Sequence, residues 1–224
     1  MSTIARNIEE IKKNIPAGTT LVAVSKTKPV ADIREAYESG HRDFGENKVQ
    51  EMCSKYEQLP RDIRWHMIGH VQRNKIKYMA PFVHLIHGVD SIKTLMEIEK
   101  QARKHGRVIN CLLQIHIAME STKFGLSPDE AKQILLSPGI QNLEHTRIAG
   151  LMGMATYTDD TSQIRKEFSS LKRLFDELAH GDYPAFHPEI LSMGMSGDYR
   201  IAVEEGSNMI RVGSAVFGPR NYVV

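Results

Sequence analysis

Short apolar runs recur along the chain, and stretches with the helical spacing of apolar residues fill the intervals between them. The apolar runs predict strands at residues 21–25, 43–45, 65–69, 85–89, 111–117, 148–154, 190–193 and 209–217. The intervening stretches predict helices at residues 30–39, 48–58, 92–104, 128–136, 163–179 and 197–205. One of them opens with SPDEA, in which Pro128 follows Ser127 and two acids come next, a typical helix start.

This alternation of strand and helix predicts parallel strands joined by crossover helices. Eight such pairs make a closed (β/α)8 TIM barrel, which is the fold we expect, with residues 1–224 forming a single domain. Residues 3–13, before the first strand, have helical spacing and predict an extra N-terminal helix. An open doubly wound sheet is the alternative that the same pattern allows.

Composition and charge narrow the classes of function. Lys and Arg total 29 against 27 Asp and Glu, which gives a net charge of +2, and the charges are scattered along the chain. We therefore expect no nucleic-acid partner and no membrane role, since no apolar run approaches the roughly 20 residues that cross a bilayer. Cys53 and Cys111 lie in separate segments, without a CxxC spacing or a secretory leader. We expect a cytoplasmic, monomeric protein with reduced thiols.

In such a barrel the residues that follow each strand meet at one end, where functional sites are found. After the seventh strand, SMGMSGD predicts a helix start at Ser196, with Asp198 in the first turn and the Ser192 and Ser196 hydroxyls beside exposed backbone N–H groups. In the eighth strand, RVGS puts Arg211 and Gly213 on one face. Loops after strands seven and eight commonly bind phosphate, so these segments predict an anion site. A capped helix and a close strand contact that needs glycine are the alternatives.

Lys26 stands at the end of the first strand, in the sequence LVAVSKTKP. Alternation places Val22, Val24 and Lys26 on one face, and an inward face would put the amine in the barrel mouth. Burial lowers the pKa of a lysine, and Lys28 could add like-charge repulsion, so the amine could form a Schiff base with a carbonyl. A Schiff-base lysine facing a phosphate site points to a phosphorylated aldehyde, of which pyridoxal 5′-phosphate (PLP) is the commonest. Alternatively, Lys26 extends into solvent.

Arg211 bears on the chemistry of such a cofactor. An aspartate beside the pyridine nitrogen of PLP would keep that nitrogen protonated and make the ring a strong electron sink. An arginine favours the neutral pyridine and a weaker sink. In the alternative interpretation, Arg211 forms an ion pair with Glu204 or Glu205.

Segments along nearly the whole chain resemble the motifs of one family: LVAVSKTKP, FGENKVQE, WHMIGHVQRNK, GVDS, STKFG, GLMGMAT, LSMGMSGD and MIRVGSAVFG. The family is that of the PLP homeostasis proteins, also called the YggS or PROSC family, whose fold is like the N-terminal barrel of alanine racemase. The resemblance implies that Lys26 holds PLP as a Schiff base and that Arg211 meets the pyridine nitrogen. Further residues implied at the site are Ser192, Ser196, Gly213 and Ser214 around the phosphate, and Asn47 and Met152 lining the pocket.

Lys48 and Gly88 depart from the family pattern, which commonly has an aromatic residue and a serine at these two positions. Neither position carries one of the roles implied for the cofactor site. We therefore expect the departures to affect only the rim of the pocket.

Three functions remain open. The resemblance implies a protein that binds, buffers and delivers PLP in vitamin B6 homeostasis without ordinary turnover, with PLP-dependent apoenzymes as recipients. The alternative is a PLP-dependent amino-acid racemase, which needs a second proton donor opposite the lysine. In alanine racemase a second domain supplies that donor, and we expect no second domain here. A Schiff-base aldolase acting on a sugar phosphate is the third, and it would be colourless where a PLP protein is yellow.

A metal site is not expected. His66 and His70 have the i, i+4 spacing of a helical metal-binding pair. However, WHMIGH is typical of a strand running into a turn, which sets the two side chains too far apart.

Overall fold

The structure is a computed structural model that describes residues 2–120 and 124–219. Within those residues, parallel strands β1 to β8 close into a barrel in chain order, with β8 beside β1. The strands are β1 Thr20–Val24, β2 Asp43–Glu46, β3 Arg64–Met67, β4 Leu85–Val89, β5 Ile109–Ile115, β6 Thr146–Gly153, β7 Phe186–Ser192 and β8 Met209–Val212. The predicted TIM barrel is confirmed.

Helices connect the strands and cover the outside of the barrel. They are α1 Thr3–Lys13, α2 Val30–Glu38, α3 Val49–Gln58, α4 Ile76–Met79, α5 Ile92–Lys104, α6 Pro128–Leu136, α7 Pro138–Gln141, α8 Thr161–His180, α9 Tyr199–Glu204 and α10 Ser214–Phe217. A 3₁₀ turn, Arg73–Lys75, precedes α4. The extra N-terminal helix is α1, as predicted. Across residues 2–120 and 124–219, none of the helices has both the length and the apolar character needed to cross a bilayer.

Local hydrogen bonds set the start of α6, as the sequence predicted. Ser127 Oγ accepts a hydrogen bond from the amide of Glu130, and the Glu130 carboxylate accepts one from the amide of Ser127. This capping box satisfies two backbone donors that would otherwise lack partners, and Pro128 suits the first turn because that position needs no N–H donor.

Apolar side chains fill the barrel and also the space between barrel and helices. An inner cluster consists of Val22, Leu85, Leu112, Ala149, Met152 and Met209. An outer cluster, with Phe44, Trp65 and Phe168 among its largest members, packs the strands against the helices. Arg211 lies two residues beyond Met209 on β8 and pairs in register with Val22 of β1. Strand alternation therefore directs Arg211 to the inside of the barrel.

Two predicted elements near the C-terminal end are present but with other bounds. Residues 209–217 form not one strand but β8 followed by α10, because the chain leaves the extended conformation at Gly213. The helix predicted at residues 197–205 begins at Tyr199, and the residue that precedes it is Asp198 instead of Ser196. The short helices α4 and α7 were not predicted. Of the motif STKFG, residues 121–123 lie outside the described residues.

Candidate functional site

Arg211 is a buried cation inside the barrel. Its side chain donates from Nη1 to Ser192 Oγ at 2.6 Å and from Nη2 to the carbonyl oxygen of Gly153 at 3.0 Å, and only 3% of the residue is exposed. Burial lowers the pKa of Arg211 to about 10, and the charge of Asp198 acts in the opposite direction. Arg211 therefore remains a cation at neutral pH.

The acids expected as alternative partners of Arg211 lie elsewhere. Glu204 and Glu205 both form ion pairs with Arg165 of α8, so the alternative interpretation was wrong. The guanidinium has five N–H donors, and among residues 2–120 and 124–219 it donates two hydrogen bonds, to the neutral oxygens of Ser192 and Gly153. Because a buried charge is costly unless it is compensated, Arg211 has both the capacity and the energetic reason to bind a further acceptor.

Beyond the ends of β7 and β8, a hydroxyl lies beside two backbone N–H groups. Ser196 Oγ accepts hydrogen bonds from the amides of Gly213 at 3.2 Å and Ala215 at 3.4 Å. Ser196 and Gly213 are half-buried and Ser214 is exposed, so this group borders solvent. A Cβ added to Gly213 would lie 3.3 Å from Val24 Cβ, which favours a glycine there. Because Ser196 Oγ accepts from both amides, its hydroxyl proton can be donated to an anion at this position.

Lys26 lies two residues after the end of β1 and is half-buried. Its neighbour Thr27 has a φ of 64°, and among the described non-glycine residues it alone has a positive φ. The left-handed conformation is unfavourable for a β-branched residue. The Thr27 amide donates to Glu51 Oε1 at 2.6 Å, a contact that helps to hold this turn. Backbone strain that surrounding contacts maintain is typical of functional sites.

A buried charge network lies next to the same turn. Lys55 Nζ donates to Ser25 O at 2.8 Å, to Glu46 Oε1 at 2.8 Å and to Glu51 Oε1 at 2.7 Å. Ser25 Oγ donates to Glu46 Oε1 at 2.6 Å. Burial raises the pKa of Glu46, and Lys55 and Ser25 oppose that rise. The network ties the residue before Lys26 to β2 and α3.

Lys28 occupies a different environment from Lys26. Its Nζ donates to the carbonyl oxygens of Phe217 at 3.0 Å, Gly218 at 3.3 Å and Pro219 at 2.9 Å. These bonds tie the β1–α2 connection to the segment that follows α10. The ammonium group of Lys28 is therefore engaged by backbone oxygens.

The predicted site residues Asn47, Ser192 and Met152 have different surroundings in the structure. Asn47 Oδ1 is buried and has no hydrogen-bond partner within the described residues, and buried amide oxygens are normally paired. Ser192 is fully buried, and its hydroxyl contacts Arg211 and His87, the latter at 3.2 Å. Met152 is fully buried in the inner apolar cluster. The ligand contacts of Asn47, Ser192 and Met152 stay predictions.

Gly88, at the predicted pocket rim, packs too closely against a neighbouring backbone for any larger residue. A Cβ at this position would lie 2.5 Å from the carbonyl oxygen of Gly69. Glycine at position 88 therefore follows from close packing between the ends of β3 and β4. Lys48, the other departure from the family pattern, is exposed just before α3.

Sequence reasoning missed the buried polar residues that support the site. The sequence predictions gave no role in the site to Glu46, Glu51, Lys55 or His87. Strand alternation could have found His87, because it lies two residues after the inward-facing Leu85. The network around Lys55 joins residues distant in sequence, and no local pattern marks it.

The histidines that were weighed as a metal pair have separate partners. His66 is buried and contacts Asp43, whereas His70 Nδ1 lies 3.2 Å from a carboxylate oxygen of Asp90. In residues 2–120 and 124–219, no group of three or more His, Cys, Asp or Glu side chains could hold a metal ion.

Comparison with known proteins identifies the family. The chain matches the family model described as alanine racemase, N-terminal domain, over residues 1–221. A pyridoxal phosphate homeostasis protein from Aquifex aeolicus is 39% identical over 203 residues, covering 90% of this chain and 87% of the relative. The protein of the same name from Pasteurella multocida is 36% identical, and the alignment covers 98% of this chain and 99% of the relative. The chain belongs to the pyridoxal phosphate homeostasis protein family.

Solved structures agree with membership of the pyridoxal phosphate homeostasis protein family. PipY from Synechococcus elongatus PCC7942, solved with PLP bound, has a TM-score of 0.87 and 34% identity, covering 96% of this chain and 100% of PipY. The PLP-free structure of PipY has a TM-score of 0.89. An alanine racemase from Clostridium difficile is 15% identical with a TM-score of 0.77, and this chain covers 57% of it. At that identity the racemase shares the fold alone.

Proposed function

We propose that this protein binds PLP at the mouth of the barrel and acts in PLP homeostasis without ordinary catalytic turnover. The observation that carries the proposal is Arg211, a buried cation that has two neutral oxygens as hydrogen-bond acceptors and further N–H donors that are not accepted by any residue the structure describes. The names of the relatives and the PLP-bound structure of PipY support the same function.

The residues at the barrel mouth fit PLP. Arg211 can donate to the pyridine nitrogen, which is an acceptor when unprotonated. The Ser196 and Ser214 hydroxyls would donate to the phosphate beside Gly213, whose amide donates to Ser196 Oγ. Lys26, held between the buried Ser25 and the strained Thr27, would bind the aldehyde carbon as a Schiff base. The Ser192 hydroxyl oxygen accepts a hydrogen bond from Arg211 and so helps to hold the guanidinium in place.

Two more predicted residues belong to the proposed site with smaller roles. The buried, unpaired Oδ1 of Asn47 is an acceptor available to a bound group. Met152 would contribute through packing in the inner cluster. The whole chain, residues 1–224, would form the one PLP-binding domain.

The identity of Arg211 favours binding over turnover. When bound, PLP supplies an electron sink for carbanion chemistry, and the strength of that sink depends on protonation of the pyridine nitrogen. The pKa of Arg211, about 10, keeps the guanidinium protonated at neutral pH. Arg211 would therefore donate a hydrogen bond to the pyridine nitrogen and would not transfer its proton. The pyridine nitrogen would therefore stay unprotonated.

We also propose that the bound PLP passes to PLP-dependent apoenzymes and that the protein acts as a monomer in the cytoplasm. Cys53 and Cys111 are both free thiols, which supports a reducing compartment. Transfer would be measured as activity recovered by a PLP-dependent apoenzyme mixed with the PLP-loaded protein. Recovery no faster than with PLP released into solution would contradict delivery. Size-exclusion chromatography and cell fractionation test the monomer and the compartment.

Visible absorption spectroscopy with an amino-acid assay tests the proposed function. Purified protein mixed with PLP should gain a visible band that free PLP lacks. Incubation with a panel of L-amino acids should then yield no more D-isomer than free PLP produces. Absence of the band would contradict PLP binding, and D-isomer above the free-PLP background would favour the racemase instead.

A further inference from the structure

A chain of hydrogen bonds crosses the barrel interior and ends at Arg211. Asp43 Oδ1 lies 3.0 Å from His66 Nε2, and His66 Nδ1 lies 3.1 Å from His87 Nε2. His87 Nδ1 lies 3.2 Å from Ser192 Oγ, and Ser192 Oγ lies 2.6 Å from Arg211 Nη1. These residues come from β2, β3, β4, β7 and β8, and the step from β4 to β7 spans the barrel.

The two ends of this chain fix the direction of every hydrogen bond in it. Arg211 can only donate, and ionised Asp43 can only accept. With both histidines neutral, Ser192 accepts from Arg211 and donates to His87 Nδ1. The proton on His87 Nε2 is then donated to His66 Nδ1, and the proton on His66 Nε2 to Asp43. In any other arrangement of neutral imidazoles, two acceptors face each other.

The surroundings of His87 favour its neutral form. His66, His87 and Ser192 are fully buried. Burial lowers the pKa of His87 well below its ordinary value, and the Arg211 cation adds to that effect. Asp43 has its charge maintained by two hydrogen bonds from Arg64. These contacts, with the one from His66, outweigh burial and lower the pKa of Asp43 far below its ordinary range.

His84 and Arg64 lie near His66 and Asp43, and both are compatible with the relay of hydrogen bonds. The His84 ring centroid lies 5.4 Å from that of His66. Burial lowers the pKa of His84 to about 4, and His66, Arg64 and Arg107 contribute in the same direction while Asp43 opposes them. His84 is therefore neutral at neutral pH, and Arg64 donates to both carboxylate oxygens of Asp43.

We propose that Asp43, His66, His87 and Ser192 form a positioning relay that fixes the orientation of the Arg211 guanidinium. The relay presents the remaining N–H donors of Arg211 toward the barrel mouth. Its effect on a cofactor rests on the proposed function, in which Arg211 meets the pyridine nitrogen of PLP. Asp43, at the opposite end of the relay from Arg211, thereby influences the cofactor through hydrogen bonds without touching it.

The first test needs no cofactor. Nitrogen-15 NMR of the histidine rings in the PLP-free, full-length protein at neutral pH reports which ring nitrogen carries the proton. We expect both His66 and His87 as neutral rings protonated at Nε2, assigned by the loss of signals in His66→Gln and His87→Asn. A proton on Nδ1 of either ring would overturn the relay.

The second test follows PLP binding and the visible spectrum of bound PLP. His87→Asn keeps an acceptor near Ser192, whereas His87→Leu removes it. His87→Leu removes the buried hydrogen bond to Ser192, which in turn contacts Arg211. This loss should weaken PLP binding about three- to tenfold, and His87→Asn should have less effect. Asp43→Asn should shift the absorption maximum of bound PLP, although Asp43 lies outside the cofactor site.

Glu189→Gln is the matched control, because it breaks an exposed ion pair with Arg147 that lies outside the relay. It should leave both affinity and spectrum unchanged. Unchanged affinity and spectrum in both Asp43→Asn and His87→Leu would overturn the relay. If His87→Leu does not fold, Asp43→Asn and the NMR measurement still decide. A wild-type protein that binds no PLP would refute the proposed function, and the tautomer measurement would then decide the relay separately.

Discussion

Lys55 Nζ lies 2.8 Å from Glu46 Oε1, and both side chains are buried. The same ammonium binds the carbonyl oxygen of Ser25, the residue before Lys26. A residue of α3 thus holds the end of β1, so the position of the proposed cofactor lysine depends on an ion pair between β2 and α3.

Replacing Lys55 with methionine should destabilise the protein strongly. The substitution leaves the Glu46 carboxylate buried without its cation, and such changes typically cost about 3–5 kcal/mol of unfolding free energy. Denaturant unfolding of Lys55→Met measures the loss. The double variant Glu46→Gln with Lys55→Met should recover part of it, because no buried charge remains. A Lys55→Met protein as stable as Lys13→Met, which breaks only the exposed pair with Glu9, would contradict this interpretation.

Glu51 should matter for PLP affinity through the turn that carries Lys26. Its carboxylate accepts the Thr27 amide at 2.6 Å and so helps to maintain the left-handed conformation of Thr27. Glu51→Ala should weaken PLP binding about fivefold, the effect of losing roughly one hydrogen bond. Glu51→Gln keeps an acceptor for the amide and should retain most of the affinity. Equal affinities in spectroscopic titrations of the two variants would show that the contact does not position Lys26.

Acid should destabilise the protein partly through His41. Burial, with the nearby Lys12 charge, lowers the pKa of His41 from 6.5 to about 4. Because the unfolded chain then binds a proton that the folded protein excludes, the stability from neutral His41 is present above pH 6.5 and is lost as the pH falls toward 4.

His41→Gln should reduce the pH dependence of unfolding free energy in this interval by about 1 kcal/mol per pH unit. Denaturant unfolding at a series of pH values measures the slope. The exposed His105→Gln is the control and should leave the slope unchanged. A slope in His41→Gln that equals the wild-type slope would contradict the assignment.

Gly88 should not tolerate a side chain, even the serine that the family pattern favours. A Cβ there would lie 2.5 Å from a backbone oxygen of Gly69, so one of the two backbones must move. Gly88→Ser should cost about 1–3 kcal/mol of unfolding free energy. Gly139→Ala is the matched control, because a Cβ there meets no atom within 4 Å. Since alanine is also the better helix former in α7, the control should be neutral or slightly stabilising; thermal unfolding compares the two.

Local patterns predicted much of the fold. The strand at residues 85–89 and the helices at residues 92–104 and 128–136 have the predicted bounds, because alternation or capping residues define their ends. The start of α10 could not be predicted in the same way. The apolar residues of VGSAVF continue those of β8, so nothing in the pattern marks the change from extended to helical backbone at Gly213.

The site was predictable only in part. Lys26 and Arg211 could be proposed because each stands at or near a strand end within an apolar run, and the family resemblance supplied their roles. The relay that supports Arg211 could not, because the contact between His87 and Ser192 exists only once the barrel has closed. The ion pair of Glu46 with Lys55 likewise depends on how α3 packs against β2.

The central claim is that Lys26 holds PLP covalently, and chemical trapping tests it most directly. The PLP-loaded protein is treated with borohydride, which reduces a Schiff base to a stable bond, and the modified residue is found by peptide mass spectrometry. We predict modification at Lys26 in the wild-type protein and in Lys28→Ala, and none in Lys26→Ala. Modification at Lys28 instead, or no modification of the PLP-loaded wild-type protein, would contradict the account.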